Sequence, residues 1–295
     1  MAVYQAMDVH PVAKTSLLSG AMSFVRMNPV VLFGIIVLAV FIIMAAIAPW
    51  VLEDPRRVNA IHRLKPPSTE NPFGTDQIGR SILSRTFNGA TVSLTVGVTV
   101  MALTGIFGLI IGLMCIYNRW LDGITMRVMD GLMAIPSILL AIALMSLFGT
   151  HVRNVIIAIT VAEVPRMARV VRSAVLVIRE QPYVEAASAS GVGPLRLLLR
   201  HVLPNASAPI IVQATYVFAS AMLIEAALSF LGAGSPPIVP SWGNMLAEGR
   251  TFLQRAPWLL VFPGLALSIL VLTVNVVGDA LRDALDPKLA KQTRF

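Results

Sequence analysis

Between Arg26 and Glu53 no side chain ionises, and the run Val30 to Ala48 is apolar almost without interruption. A stretch of that length covers ~30 Å of hydrocarbon, and in lipid a backbone must satisfy its own hydrogen bonds, so it crosses as a helix. Similar runs recur along the chain. They predict spans at about Pro29 to Val51, Thr91 to Tyr117, Gly131 to Phe148, Val155 to Leu176, Ala208 to Leu231 and Trp258 to Val277. The 295 residues are 56% hydrophobic and only 13% charged, where a soluble domain carries roughly 25% charged residues. The fold class expected is therefore an all-α integral membrane protein with six transmembrane helices. Ala46-Ile47-Ala48 has the look of a signal-peptidase site, but the run before it exceeds the ~7–15 residues of a signal h-region. It reads as a retained first span.

The polar segments between these runs follow their own logic. Residues 1–28 read as a tail, with Thr15 to Met27 placed either along the interface or in solvent. Residues 29–90 hold the first span and a polar segment. There Asp76 is the expected N-cap of a helix over Gln77 to Phe87, with Ile78, Ile82 and Leu83 on one face. Residues 91–280 form the core, and 281–295 a second tail. Gly108 and Gly112 make a small-xxx-small pattern that lets backbones approach closely. Asn118 to Asp130 reads as a charged turn and Pro136 as a kink. Span four is the least hydrophobic, with Glu163, Pro165, Arg166, Arg169 and Arg172, and its second half is expected to protrude as a continuous helix. The stretch Gly232 to Pro257 is too apolar for full solvation and is expected to fold back as a re-entrant or interfacial piece.

Several chemistries are excluded. The histidines, His10, His62, His151 and His201, fall in tails or loops, so none pairs with a serine or cysteine inside a span. No histidine pair has metal-ligand spacing, and the lone Cys115 permits no intrachain disulfide. No Gly-Lys pair exists, so the chain owns no phosphate-binding loop. The net charge of +8 reflects anchoring and orientation rather than nucleic-acid binding. Apart from Glu225, spans one, two, three, five and six lack ionisable residues, which is thin provision for a proton- or sodium-coupled carrier. Energy for pumping then has to arrive from outside the chain. Glu225 itself reads as a solute contact, a structural partner for a backbone amide, or a residue near the outer interface. Glu163 reads as half of a local ion pair with Arg166.

One polar stretch between spans four and five stands out. Glu185-Ala186-Ala187-Ser188-Ala189-Ser190-Gly191 runs on to His201-Val202-Leu203-Pro204-Asn205, with Arg179, Arg196 and Arg200 around it. Small residues leave a helix face open to close approach. Gly191-Val192-Gly193-Pro194 breaks that helix, and a second short helix is expected from Leu195 to His201, ending near Pro204. This spacing resembles the EAA loop of ABC-importer membrane subunits. The likeness extends further, to the six-span C-type subunit of the peptide/nickel subgroup. It is carried by Phe73-Gly74-Thr75-Asp76 with Gly79-Arg80, Ser84-Arg85 and Gly89-Ala90, by Met126-Arg127, Asp130 and Pro136-Ser137, by Tyr183 to Ala187 with Arg200 to Asn205, and by Glu225 to Gly232. Pro240-Ser241-Trp242-Gly243 and Gly278-Asp279 to Asp286-Pro287 complete it. His201 stands where the general pattern has isoleucine, and Val164 to Arg169 lacks the aromatics of that subgroup.

The resemblance implies a type I ABC importer permease fold and a bacterial inner-membrane location. It also implies import of di- or oligopeptides, with nickel chelates, glutathione, opines or oligosaccharides as alternatives. It implies a second related permease chain, two ATPase subunits that bind the ATP and Mg, and a solute-binding protein. This chain would hold no cofactor, metal or catalytic site of its own. The coupling loop 179–205 would dock the ATPase through Glu185, Ala186, Ala187, Gly191, Arg196, His201, Leu203 and Pro204. With both termini and this loop cytosolic, fourteen of the 23 Lys and Arg fall on the cytosolic side, in agreement with the positive-inside rule. An ion-coupled carrier or channel would instead transport alone on a gradient, and a membrane scaffold would transport nothing.

Overall fold

The computed structural model describes residues 28–117 and 119–285. The terminal tails before residue 28 and after 285, including the proposed interfacial stretch Thr15 to Met27, lie outside the described residues. In order, the helices are α1 (Pro29–Val51), α2 (Ile82–Tyr117), α3 (Arg119–Met133), α4 (Ser137–Phe148), α5 (Val152–Arg179), α6 (Pro182–Ala189), α7 (Pro194–Leu197), α8 (Leu203–Phe230), α9 (Trp242–Gly249) and α10 (Trp258–Leu285). No strand occurs among the described residues. By length and apolar composition, Pro29–Val51, Ile82–Cys115, Pro194–Phe230 and Trp258–Asp283 can each cross a membrane. The pair α3 and α4, bent by 89°, makes a fifth if it counts as one span. The expected sixth, α5, is long enough, but its charges keep it out of that apolar set.

The bundle is built on α2. A Cβ placed on Gly108 would run into the Met167 side chain, and one on Gly112 would lie 2.7 Å from Val171 and 2.9 Å from the Ala168 carbonyl oxygen. The small-xxx-small pair thus sits where α5 presses on α2. The contact partners rise together in number, so the two helices run parallel. On the adjoining face, Gly97 abuts Phe218 and Met222 of α8. Ala158, Ile159, Met167, Val171, Val217 and Ala221 fill the space among the three helices. Outside them, α1 leans on α10, where Gly34 meets Val277. An apolar cavity of ≈ 670 Å³ lies between α1, α2, α8 and α10, lined among others by Leu38, Ile42, Thr95, Val98, Phe218 and Val274.

Five expectations require correction. First, Asp76 caps a turn rather than a helix. Its carboxylate accepts the backbone N–H groups of Ile78 and Arg80 at 3.0 and 2.9 Å, and Thr75 bridges Ser81 across that turn. The helix begins at Ile82, and it runs without a break into span two. Second, the supposed turn from Asn118 to Asp130 is largely the amphipathic helix α3, held to α5 by Asp122–Arg172 at 2.5 Å and by Asp130–Arg169. Third, Pro136 does not bend a continuous helix but separates α3 from α4, because it lacks an N–H and bars the residue before it from the helical region. Fourth, the second short helix of the 179–205 stretch does not stop near Pro204. It passes through a π turn at Leu198–Val202 straight into α8. Fifth, α10 continues to Leu285, past the expected start of the second tail at residue 281.

At the end of the bundle where α2 starts, a buried cluster of charges ties three segments together: the turn at 76–80, the start of α2, and α9. The Arg85 guanidinium, 2% exposed, donates to Asp76 at 2.7 Å and to both Glu248 oxygens at 2.7 and 3.0 Å. Arg80 reaches Asp76 at 2.5 Å and Glu248 at 2.6 Å, and Gln77 adds a bond to Glu248 at 3.0 Å. Two acids and two bases cancel, which is what permits their burial. Beside them α9 is fixed by the buried Trp242, whose indole donates to the Thr86 carbonyl at 2.8 Å. The re-entrant piece expected between spans five and six is therefore a packed helix.

Two outcomes follow from this packing. Gly112→Leu overfills the α2–α5 contact and should cost ~1–3 kcal/mol, read as a lowered thermal midpoint of the purified protein in detergent. Burial acts to raise the Glu248 carboxyl, but its bonds to Arg85, with Gln77 and Arg80 in support, outweigh this and hold it below the usual glutamate range. A depressed carboxyl stabilises the fold fully above the unfolded value of about 4.3. That stabilisation is lost as pH falls through the lowered folded value. The acid limb of a stability profile should therefore flatten in Glu248→Gln, with the midpoint at neutral pH already reduced.

Candidate functional site

The stretch between α5 and α8 forms a helix–turn–helix at the end of the bundle opposite the charge cluster. Pro182 opens α6 at a position where its missing N–H costs nothing. Glu185 lies in the first turn, where the helix dipole favours a negative charge. The helix ends with Ser190 N–H on the Ala186 carbonyl at 3.0 Å and Val192 N–H on Ala187 at 3.3 Å. Gly191, at φ +81°, makes the left-handed turn that this ending needs. A Cβ there would meet nothing within 4 Å.

The way back into the membrane is set by Pro204. It has no N–H to give the Arg200 carbonyl, so the chain widens by one residue, and Leu203 N–H bonds to Leu198 instead. The side chain of Asn205 then takes up the His201 carbonyl at 2.6 Å. Two buried valines, Val184 and Val202, root the unit in the main hydrophobic core. Leu197 and Leu198 pack against that core, and most of the remaining side chains are exposed.

Of the residues singled out in the sequence, Glu185, Ala186, Gly191, Arg196 and Pro204 are exposed, while Ala187, His201 and Leu203 are half-buried. Tyr183, Leu195 and Leu199 are also exposed and add an apolar component, with Leu195 at 63%. Tyr183 is among the residues that carry the resemblance, but nothing in the sequence singled out Leu195 or Leu199 as part of that surface. The structure thus gathers a carboxylate, two guanidiniums at Arg196 and Arg200, and bulky apolar groups on one protruding unit. It is continuous with α8 and separated from α5 by Glu180 and Gln181 alone. Such a unit can dock into a second protein and carry its movement into two long helices. Among the described residues no three His, Cys, Asp or Glu side chains converge on a metal position.

The other residues weighed in the sequence lie elsewhere. Glu225 is fully buried near the end of α8 and accepts hydrogen bonds from the Ser229 and Ser235 hydroxyls at 2.8 and 3.2 Å. Ser229 in turn accepts the backbone N–H of Ser235 at 3.1 Å. Asn244 of α9 donates to the carbonyls of Ser235, Pro236 and Val239. These bonds order the loop that leads to α9. Glu163 is paired with Arg166 at 3.0 Å, as expected. The charge cluster around Arg85 and Glu248 escaped the reading of the sequence. Asp76 and Arg80 stand at helical spacing, but nothing local points to Glu248, 163 positions from Arg85.

Comparison with known proteins agrees with this architecture. The family described as binding-protein-dependent transport system inner membrane component matches residues 105–291. The N-terminal transmembrane domain of oligopeptide transport permease C matches residues 16–67. A putative peptide transport system permease protein of Brucella suis is 47% identical over 257 residues, 87% of either chain. The dipeptide transport system permease protein DppC of Alkalihalophilus pseudofirmus is 44% identical over 268 residues, 90% of this chain and 88% of its own. The oligopeptide transport system permease protein OppC of Bacillus subtilis is 40% identical over 294 residues, 98% of this chain and 96% of its own. Among solved structures, the MetNI methionine ABC transporter in an inward-facing conformation shares the fold. It has a TM-score of 0.61 at 20% identity, over 70% of this chain and 98% of that one. With its several apolar helices, this multi-pass inner-membrane protein belongs to the binding-protein-dependent transport system inner membrane components, the permease subunits of ABC importers.

Proposed function

We propose that the chain forms half of the translocation pathway of an ATP-driven importer of di- and oligopeptides. In this reading it pairs with a second related permease. It receives solute from a separate binding protein and takes its drive from two ATPase subunits that hold the ATP and Mg. The names of the relatives, peptide, dipeptide and oligopeptide permeases, support the solute class. In this reading α5, packed along α2 for much of its length, is the sixth span, and both termini and the 179–205 unit lie on the cytosolic side, as docking of an ATPase requires. Closure of the ATPases would push on α6 and α7, and α8 would turn that push into a shift of the pathway walls.

The observation that carries the docking assignment is the open space around Gly191. Its backbone is left-handed, a conformation that Asp and Asn enter more readily than other side chains. An added side chain there meets nothing in the chain itself. Gly191→Asp should therefore insert and fold normally at a cost of about 1 kcal/mol. Solute uptake by the assembled importer should nonetheless fall to background, because the new carboxylate stands where the ATPase would close. Wild-type uptake by this variant would remove the docking assignment.

A further inference from the structure

We infer that Arg166 and Tyr216 form a subsite on the translocation pathway that binds a carboxylate group of the passing solute; this rests on the importer reading above. Arg166 is the fifteenth of the 28 residues of α5, and Tyr216 the fourteenth of the 28 of α8. Each therefore lies about 20 Å along a helix some 42 Å long, near its middle. The guanidinium carbon is 5.6 Å from the Tyr216 ring centroid, within reach of a cation–π contact. Yet Arg166 keeps 40% of its side chain exposed, and Tyr216 is 49% exposed.

A cation half open midway along such a helix is disfavoured against lipid. Translocon scales put arginine at the centre of a span at about +2.5–3.5 kcal/mol, and such residues turn toward a bundle interior or a water-filled cavity. Nearby on α2, where Gly108 abuts Met167, the lipid-compatible face is made by Ile106, Phe107 and Ile110, all about half exposed. Arg166 and Tyr216 instead share an outward face where α5 meets α8. On this inference that face lines the pathway.

The arrangement suits a transient anion site. Beneath the guanidinium the buried Glu163 takes one Nη1 donor at 3.0 Å and fixes the group in place. Arginine has five N–H donors in a planar fork. Glu163 is the one hydrogen-bond partner of Arg166 among the described residues, so four donors remain, the geometry that a carboxylate accepts in pairs. Glu163 offsets part of the charge of Arg166, whose side chain stays 40% exposed. A solute is thus held by hydrogen bonds and weak net attraction, enough to orient it without trapping it.

The test has two arms, both on the assembled importer. In a Cys115→Ala background, Tyr216→Cys is treated in membranes with two small water-soluble methanethiosulfonates, one anionic and one cationic. The anionic reagent should react about tenfold faster, a preference that Arg166→Gln abolishes. No reaction with either reagent, the result expected for a lipid-facing or partner-covered position, overturns the inference. So does equal reaction with both. In the second arm, Glu163→Gln/Arg166→Gln removes both charges together, so neither is left buried alone. Uptake of a tripeptide with a free terminal carboxylate should fall about tenfold, while tripeptide-loaded binding protein still stimulates the ATPase. Wild-type uptake by this double variant also overturns the inference but leaves peptide import standing. A wild-type importer that moves no peptide sinks the peptide reading, and the labelling arm then still decides whether the site is an aqueous anion site.

Discussion

The close contact of α2 with α5 at Gly108 and Gly112 is the constraint on which the other helices depend. Lipid tails are as apolar as leucine, so no hydrophobic drive pulls two helices together inside a bilayer. What holds them is van der Waals packing, and that requires backbones to come near. Two glycines one turn apart let the α5 backbone at Ala168 approach α2, and the parallel register follows from where they sit. Once α5 is placed, α8 has a groove against Gly97 on one side and the α5 core residues on the other. The protruding unit between α5 and α8 is then held by both its ends.

Charge is handled by the same economy of space. Arg85 and Arg80 are buried only because Asp76 and Glu248 neutralise them. The result is a rigid joint at one end of the bundle, where α9 is also pinned by Trp242 and Asn244. At the other end the ion pairs of α3 with Arg169 and Arg172 are partly exposed, and the protruding unit meets the core mainly through Val184, Val202, Leu197 and Leu198. One end is thus bound by many interlocking bonds and the other by few. Under the function proposed above, a subunit pushed at one end and shaping a pathway with the rest has use for that asymmetry.

Much of this was legible in the residues. The apolar runs located the long helices, because burial in lipid demands both length and helical hydrogen bonding. The glycine pair announced a close contact, and Glu163–Arg166 an ion pair one turn apart. The spacing from Glu185 through Gly191 to Pro204 marked a bent, exposed unit, since a glycine with open space around it and a proline with no donor act locally. The errors arose where a local signal has two outcomes. Asp76 offers the same carboxylate to a turn as to a helix. The charged residues from Arg119 to Asp130 look solvated until partners on α5 make them one face of a helix.

By itself, then, the amino-acid order determined that the chain is a helical membrane protein, where its long helices run, and which stretch stands out from them. Those properties depend on neighbours a few positions apart. Tertiary structure alone decided that Glu248 meets Arg85, that Glu225 ties down a loop rather than standing free in its span, and that Arg166 and Tyr216 share one outward face. Each of these joins residues on separate helices or across a loop. Periodicity within one segment carries no record of which other segment will lie against it.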